Sequence, residues 1–194
     1  FLALNGLGRL HWSQSRLAAA QQCYRQALVL AEALQDRRWQ GGLQGNLGNL
    51  ARAQGRLPEA RDHYARGLAL AREVGDRQWA GNAHCNLGLV LHELGDPVAA
   101  RTELDAALAL ARSVGHKRLE AMTLTNLGLV AEALSDDRAA LSHHVEAAAA
   151  ATELGDLPLQ GQLRGDLGLA LQEFATQNPG AITEIIRPQP VFAN

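Results

Sequence analysis

A three-residue pattern recurs along the chain at a constant spacing. It consists of a Leu-Gly pair preceded by a polar residue, and its copies are Asn46-Leu47-Gly48, Asn86-Leu87-Gly88, Asn126-Leu127-Gly128 and Asp166-Leu167-Gly168. The same spacing leads back to Leu7-Gly8, where Gly6 replaces the polar residue. A period of about 20–50 residues is typical of solenoids, in which each unit buries its apolar face against the next one. The sequence therefore predicts a stack of five repeats.

Helix is the secondary structure that this composition favours. Leu and Ala are abundant, only 4% of the residues are aromatic, and no segment alternates apolar and polar residues as a half-buried strand would. Each repeat instead shows two apolar stripes at helical spacing, one around the Leu-Gly pair and one that begins about 17 residues into the repeat. Short connections between two such helices make them antiparallel neighbours. We therefore predict an all-α protein built from helical hairpins.

The second helix of each repeat has a recurring set of predicted core positions. In the first repeat these are Ala20, Tyr24, Ala27, Leu28, Ala31 and Leu34, and the sets that lie one, two and three periods later end at Val74, Val114 and Leu154. Tyr64 and His144 occupy the aromatic position of their repeats, and we expect both to be buried. The predicted helix ends are Gly55, Gly75, Gly95, Gly115 and Gly155, and the predicted N-cap and proline pairs are Asp96-Pro97 and Asn178-Pro179.

The repeats start near residues 1, 41, 81, 121 and 161, so the predicted array spans 1–176. The last unit lacks an apolar second helix, because its core positions hold Gly180, Glu184 and Arg187 and because Pro188 and Pro190 end any helix. We therefore expect a degenerate final helix and an extended C-terminal tail over 177–194. Since Phe1 is already in register with a repeat, we expect the chain to be a fragment of a longer protein.

Charge and cysteine content exclude several classes of protein. The net charge of −2 gives no overall reason to bind nucleic acid or an anionic membrane. Residues 1–97 contain 11 basic and 8 acidic residues, a net +3, whereas residues 98–194 contain 7 and 12, a net −5. The two cysteines form no disulfide pattern, and there is no apolar run long enough for a membrane helix and no signal peptide. A cytoplasmic location is the expectation.

The repeat unit resembles the tetratricopeptide repeat, whose pattern is W-x2-L-G-x2-Y followed by A-x3-F, A and P. In the first repeat Leu7-Gly8, Ala20, Tyr24 and Ala27 match that pattern. The period is about 40 residues instead of about 34, the first Trp is absent and so is the closing Pro. The long form, with Asn-Leu-Gly and the linker Gly75-Asp76-Arg77, is similar to Pins-type spindle-orientation adaptors and to arrays in bacterial signalling regulators and ATPases.

This resemblance implies a tetratricopeptide superhelix whose first helices line a concave groove for a peptide ligand. The groove positions that it implies are Asn46, Asn86, Asn126, Asp166, Arg9, Asn49, Arg52, His92 and Glu132. A ladder of amides can pair with the backbone of an extended peptide whatever its side chains, because each amide both donates and accepts. The alternative is that these amides bond to neighbouring helices and fix the stacking of repeats. In the basic half, Arg9, Arg37 and Arg52 predict that an acidic part of the ligand lies nearby, and in the acidic half Glu132 and Asp166 predict a basic part.

The function that follows is a protein-interaction module that binds an extended or helical peptide. The alternative is a regulatory or self-associating segment of a larger bacterial signalling protein, with self-association through the repeat ends. No catalytic grouping, phosphate-binding loop or metal-ligand pattern is present, so the sequence predicts no enzyme, no metal and no cofactor. His84 and His92 are two turns apart on one helix, and His143 and His144 point to different faces, so neither pair is a zinc site.

Overall fold

The computed structural model describes residues 1–155, 165, 167–169, 171–172 and 175–176. Within 1–155 the chain forms eight helices joined by three-residue connections. They are α1 (Leu2–Ser13), α2 (Leu17–Ala33), α3 (Arg37–Ala53), α4 (Leu57–Glu73), α5 (Arg77–Glu93), α6 (Pro97–Ser113), α7 (Lys117–Ala133) and α8 (Asp137–Leu154). Odd-numbered helices carry the Leu-Gly pair and are called helix A; even-numbered ones are called helix B. The described residues contain no strand, and the predicted all-α fold of antiparallel hairpins is confirmed.

The chain divides into two compact units, and the boundary falls inside α6. In the first unit, Phe1–Leu110, the helices α1 to α5 pack in chain order, each against the next. In the second unit, which begins at Ala111, α7 packs against α8. A connection of three residues is too short to reach a distant part of the fold, so each helix packs against the next one in the sequence.

Side-chain caps start five of the described helices, and the capping residues are Asp36, Asp76, Asp96, Asp136 and His116. Asp96 shows the pattern: its Oδ1 accepts a hydrogen bond of 3.0 Å from the backbone N–H of Ala99. α6 then begins at Pro97, whose missing N–H would have had no partner within the helix. The predicted Asp96-Pro97 boundary is therefore correct, while Asn178-Pro179 lies outside the described residues.

Every connection among the described helices contains one residue with positive φ. Glycine occupies this position at 55, 75, 95 and 115, as predicted, and Gly155 has the same conformation directly after α8; the φ of these five glycines lies between 66° and 83°. Ser15, Gln35 and Ser135 occupy the equivalent position with φ of 58°, 53° and 58°. A side chain in the left-handed region has its Cβ too close to the following carbonyl oxygen, which costs about 1–2 kcal/mol.

Replacing one of these residues by glycine should therefore stabilise the fold. We expect Gln35→Gly to raise the free energy of unfolding by about 0.5–1 kcal/mol, because relief of strain outweighs the extra flexibility of the unfolded chain. Urea denaturation followed by circular dichroism measures this change. Gly75→Ala is the matched control and should lower stability, because alanine would enter the same conformation at φ 68°. A loss of stability in Gln35→Gly would contradict the strain explanation.

The core follows the predicted stripes with one consistent exception. In the first unit one cluster joins Ala20, Tyr24, Ala27 and Ala31 of α2 to Leu43, Leu47 and Leu50 of α3. The last predicted core position of each helix B was wrong, since Leu34, Val74, Val114 and Leu154 are 67%, 41%, 41% and 39% exposed. These residues stand at the C-terminal end of helix B, directly before the residue with positive φ. The chain turns there, so these side chains extend beyond the surface that the next helix covers.

The Leu-Gly pair has a direct steric explanation. Leu47 is buried in the core, and the ring of Tyr64 lies against the Cα of Gly48. A Cβ on Gly48 would be only 2.6 Å from Tyr64 Cε1, and a Cβ on Gly128 would be 2.5 Å from His144 Cε1. Glycine is therefore required wherever the large residue of helix B packs against helix A, which explains its return in each of these repeats.

Candidate functional site

Asn46, the first of the predicted groove amides, is hydrogen-bonded to a residue of the preceding repeat. Asn46, in the third turn of α3, is half-buried, and its Nδ2 donates a hydrogen bond of 2.9 Å to Oδ1 of Asn5 in α1. The two side chains thus connect neighbouring A helices. This hydrogen bond is of the kind that the stacking alternative predicts for these amides. Asn5 was not among the predicted site residues, although its separation of 41 residues from Asn46, one period plus one, was a signal that could have found it.

Asn86 lies at the same repeat position as Asn46 but in a different environment. It is half-buried in α5, and its side chain forms no hydrogen bond with any other residue in the described part of the chain. The residue that corresponds to Asn5 one repeat later is Gly45, which has no side chain to offer. A Cβ built on Gly45 would meet nothing within 4 Å, so open space adjoins this position of α3. The Asn86 amide therefore keeps its donors and its acceptor available.

Asn49 has a structural partner. Its Oδ1 accepts a hydrogen bond of 2.7 Å from the hydroxyl of Tyr64, which is only 1% exposed. Burial of the phenol raises the pKa of Tyr64 to about 12, because the charged phenolate would be poorly solvated there. The predicted burial of Tyr64 is confirmed, and Asn49 completes the hydrogen bonding of the core.

Arg52 is also engaged within the protein. Its Nε and Nη2 donate to the carboxylate of Glu93 in α5, with distances of 2.7–3.0 Å. These hydrogen bonds raise the pKa of Arg52 and fix its guanidinium across two repeats. Arg9, by contrast, is exposed and forms no ion pair with a described residue. Arg37, the third predicted contact for an acidic ligand, lies 3.6 Å from Glu73, so Arg9 has the most available charge of the three.

His92 is half-buried in the last turn of α5. Its Nδ1 is buried and has no hydrogen-bond partner among the described residues. Because this nitrogen is buried, a ligand can reach it only after the His92 side chain changes its rotamer.

In the second unit, Asn126 is half-buried in α7, and Glu132 contacts a histidine of the core. Glu132 Oε1 lies 2.9 Å from Nε2 of His144, which is 2% exposed and packs against Gly128. The prediction that His144 is a buried, hydrogen-bonded packing residue is thus confirmed. Glu132 supports this core residue. Asp166, the last predicted groove residue, lies outside the described residues.

A second set of polar pairs lies between helix A and helix B of the middle repeats. Gln44 Oε1 lies 2.6 Å from Nδ1 of His63, and Nδ1 of His84 lies 2.6 Å from Oε2 of Glu103. Both pairs have the same sequence separation, and they occupy equivalent positions of consecutive repeats. Nη2 of Arg72 is 3.3 Å from Nε2 of His84, and since arginine can only donate, the His84 ring donates to Glu103 through Nδ1.

His63 should make stability fall in mild acid. Burial lowers the pKa of His63 below its ordinary 6.5, despite the nearby Glu59, so the folded state prefers the neutral ring. Stability is therefore full above about pH 6.5 and decreases as the pH falls, because the unfolded chain binds the proton first. We expect His63→Gln to flatten the curve of unfolding free energy against pH between about pH 5 and 7. Parallel curves for the two proteins would show that His63 does not contribute.

The metal-ligating residue types are dispersed over the described part of the chain. No group of three or more His, Cys, Asp or Glu residues there is arranged to hold a metal ion. No disulfide bond joins Cys23 and Cys85. None of the described helices is both long and apolar enough to cross a bilayer.

A cleft of about 450 Å³ lies beside the N-terminal ends of α3 and α5. The cleft residues are Arg38, Trp39, Gly42, Asp76, Gln78, Trp79 and Asn82. Arg38 forms an ion pair of 2.8 Å with Asp76, and the Trp79 ring lies so close to α3 that a Cβ on Gly41 would be 2.1 Å from it. Trp39 and Trp79 are half-buried and also pack against the apolar clusters of the first unit. The sequence analysis did not predict this cleft.

Stacked helical hairpins with a polar helix A surface define an α-solenoid repeat protein. Family models described as tetratricopeptide repeat match residues 2–34, 39–113 and 79–153. The chain belongs to the tetratricopeptide repeat family.

Several solved structures are similar to this one. BtubC (BKLC) from P. vanneervenii has a TM-score of 0.77 and 22% identity, with 87% of this chain and 70% of that chain covered. A Rap protein complexed with Competence and Sporulation Factor has a TM-score of 0.71 and 15% identity, covering 89% and 52%. A Signal Transduction ATPase with Numerous Domains protein with a tetratricopeptide repeat sensor, from Pyrococcus horikoshii, has a TM-score of 0.75 and 14% identity. That comparison covers 91% of this chain and 30% of that chain. These identities establish the fold alone. Comparison with curated proteins finds no match.

Proposed function

We propose that the chain binds an extended or helical peptide segment along its helix A surface. The tetratricopeptide family supports the broader statement that this is a repeat module for protein interaction or regulation. The observation that carries the finer proposal is the Asn86 amide, half-buried and without a hydrogen bond in the described part of the chain, beside the bare backbone of Gly45. The similar Rap protein complexed with a factor supports the same mode of action.

The chemistry of Asn86 suits a peptide backbone. A backbone amide presents one donor and one acceptor, and an Asn side chain can satisfy both at once. Gly45 allows the ligand to approach α3 closely, since no side chain fills the space in front of it. Arg9 offers an exposed positive charge on the same class of helix, and His92 a half-buried imidazole ring. Asn46, Asn49 and Arg52 hold the scaffold in place through their own partners.

A regulatory or self-associating role within a larger signalling protein is the second candidate. The similar ATPase with a tetratricopeptide repeat sensor supports it. Under either function we propose an array over 1–176 with a separate final segment over 177–194, and a cytoplasmic location.

Asn86→Ala tests the first proposal. Peptides that bind the protein can be selected from a random peptide library displayed on phage and remade synthetically, and their affinities measured by calorimetry. We expect Asn86→Ala to weaken binding by about 1–3 kcal/mol, because the ligand backbone would lose a partner in a partly buried site. The melting temperature should change little, since no described residue depends on this amide.

Asn46→Ala is the matched control on the preceding repeat. It removes the partner of Asn5, so it should reduce stability by about 0.5–1.5 kcal/mol and affect peptide affinity less than Asn86→Ala does. Unchanged affinity in Asn86→Ala together with a lower melting temperature would assign Asn86 to repeat stacking and refute the proposed contact.

A further inference from the structure

Gly42 leaves part of the cleft beside α3 and α5 without a side chain. A Cβ on Gly42 would meet only Cζ2 of Trp79, at 3.9 Å, which is an ordinary van der Waals contact. The space in front of this glycine is therefore open, and a larger side chain there would extend into the cleft. Gly45, three residues later on α3, also has open space in front of it. The cleft thus continues along α3 as a strip of bare backbone toward the position that faces Asn86.

The wall of the cleft is aromatic. Trp39 and Trp79 both line it, and both rings are half-buried, so part of each residue is accessible to solvent. Trp79 also packs against the cluster that joins α4 to α5. Its position is fixed further by α3, since a Cβ on Gly41 would be 2.1 Å from its Cη2 atom. The cleft therefore presents aromatic surface that is already held in place by the fold.

The charges in the cleft cancel each other. Among the described residues that line it, only Arg38 and Asp76 are charged, and Nη2 of Arg38 lies 2.8 Å from Oδ2 of Asp76. Oδ1 of Asp76 also accepts a hydrogen bond of 3.0 Å from the backbone N–H of Trp79. A charged side chain entering the cleft would lose hydration without meeting an unpaired opposite charge. The lining therefore favours a neutral group.

The chain itself shows what packs on a tryptophan at this repeat position. Trp39 lies one period before Trp79, and the ring of Phe1 packs against it with 5.0 Å between the ring centroids. This separation is within the range of about 4.5–7 Å that favourable aromatic pairs adopt. The residue equivalent to Phe1 one repeat later is Gly41, which has no ring. An aromatic side chain from a ligand would give Trp79 the kind of contact that Phe1 gives Trp39.

The cleft adjoins the proposed contact at Asn86. Asn82, which lines the cleft, precedes Asn86 by four residues on α5, so the two lie on the same face, about 6 Å apart along the helix axis. An extended peptide advances about 3.3 Å per residue, and alternate side chains point the same way. A residue two positions from the one that pairs with Asn86 would therefore place its side chain at the cleft.

We propose that the cleft binds an aromatic side chain, phenylalanine or tyrosine, of an extended peptide. The ring packs on the accessible surface of Trp79 in front of Gly42, and the peptide backbone continues along the bare strip to Asn86. A neutral ring meets the aromatic wall without disturbing the ion pair between Arg38 and Asp76. This inference rests on the proposed peptide binding and adds to it the type of residue that anchors the ligand.

Indole signals in a ¹H–¹⁵N NMR spectrum test the cleft on its own. The chain has three tryptophans, so three indole signals are expected, and replacing each tryptophan in turn by phenylalanine assigns them. We expect the probe N-acetylphenylalaninamide to shift the signals of Trp39 and Trp79 saturably and to leave that of Trp12, outside the cleft, unchanged. The corresponding amides of lysine and aspartate should leave all three signals unchanged, because the cleft offers them no unpaired charge.

Gly42→Leu is the variant that fills the cleft. Its Cβ has room, and leucine is a better helix former than glycine, so the melting temperature should not fall. We expect this variant to abolish the shifts caused by N-acetylphenylalaninamide. Gly6→Leu is the matched control, at a glycine of α1 whose Cβ would meet nothing within 4 Å. It lies outside the cleft and should leave the shifts of Trp39 and Trp79 as they are in the wild type.

Peptides selected from the phage library test the ligand. Those that bind the wild type should share an aromatic residue, and its replacement by alanine should weaken binding about tenfold, as loss of a buried aromatic anchor does. Gly42→Leu should weaken the same peptides by a similar factor. Methylation of the peptide's backbone nitrogen two residues from the ring, on one side or the other, should weaken binding to the wild type more than binding to Asn86→Ala.

Two results would overturn the aromatic site: a probe that shifts no indole signal up to its solubility limit, and shifts that persist in Gly42→Leu. Selected peptides that share no aromatic residue, yet are weakened by Asn86→Ala, would also overturn it, while the proposed function would stand. The reverse result, in which peptides depend on the aromatic residue and on Gly42 but not on Asn86, would support the aromatic site and refute the proposed contact at Asn86.

Discussion

Gly48→Ala is expected to lower the free energy of unfolding by about 1–3 kcal/mol, the usual effect of adding a methyl group where no space exists. The added Cβ would be 2.6 Å from Cε1 and 2.8 Å from Cδ1 of Tyr64, so either the ring or the helix must move. The ring cannot move freely, because its hydroxyl is held by Asn49 and its faces lie in the core. Chemical denaturation of the two proteins side by side measures the difference.

Gly45→Ala is the control on the same helix, one turn earlier. Its Cβ would meet nothing within 4 Å, so alanine should raise stability by about 0.5–1 kcal/mol through its better helix propensity. Opposite signs for the two substitutions would separate the steric requirement from helix propensity. Equal gains in stability at both positions would disprove the close packing of Tyr64 on Gly48.

Tyr64→Ala should produce the largest loss of stability among these substitutions, about 3–5 kcal/mol, because it removes a buried aromatic ring and leaves a cavity. The residue is 1% exposed and contributes to the cluster that joins α4 to α5. Tyr64→Phe keeps the ring and removes only the hydrogen bond to Asn49, so we expect it to cost about 1 kcal/mol. Urea denaturation gives both values. A small effect of Tyr64→Ala would refute the repeat register.

The two substitutions should also depend on each other. In a Tyr64→Ala background the ring that conflicts with the new Cβ is gone, so Gly48→Ala should then cost much less than it does alone. A double-mutant cycle measures this coupling directly, and contacting residues usually show a coupling of about 0.5–3 kcal/mol. Additive effects would mean that the glycine and the ring do not interact.

The hairpin architecture could be predicted because its determinants repeat. A pattern that returns at a constant period identifies helix A, helix B and the turns between them, and errors at one repeat are corrected by the others. Leu34 shows the limit of that reasoning. Its spacing continues the apolar stripe of α2, but the chain turns at Gln35, and spacing alone does not reveal the last residue that faces a neighbour.

The candidate site was harder to predict, because equivalent positions have different partners. Asn46 and Asn86 are indistinguishable in the repeat pattern, yet one bonds to Asn5 and the other faces the position of Gly45. Arg52 presents the same difficulty, since its role depends on Glu93, 41 residues later. In any such repeat sequence, candidate hydrogen-bonding partners could be sought at a separation of one period plus one residue, which is 41 residues here. The pattern identifies which positions are equivalent, and the side chains of the adjacent repeat decide what each of them does.

Two ion pairs connect α3 to α5, the A helices of the second and third repeats, and they affect how easily this joint between the two repeats bends. At the N-terminal ends of α3 and α5, Arg38 Nη2 lies 2.8 Å from Asp76 Oδ2, and at their C-terminal ends Arg52 Nη2 lies 2.7 Å from Glu93 Oε1. Asn86 lies between these two ion pairs. A joint braced at both ends resists bending and twisting of one hairpin against the next. The stabilisation from these ion pairs is small, because exposed ion pairs contribute only about 0–1 kcal/mol each and are screened by salt. The ion pairs therefore add a contribution to the stiffness of this joint that decreases as salt concentration rises, beside the apolar packing of α4 on α5, which salt does not screen.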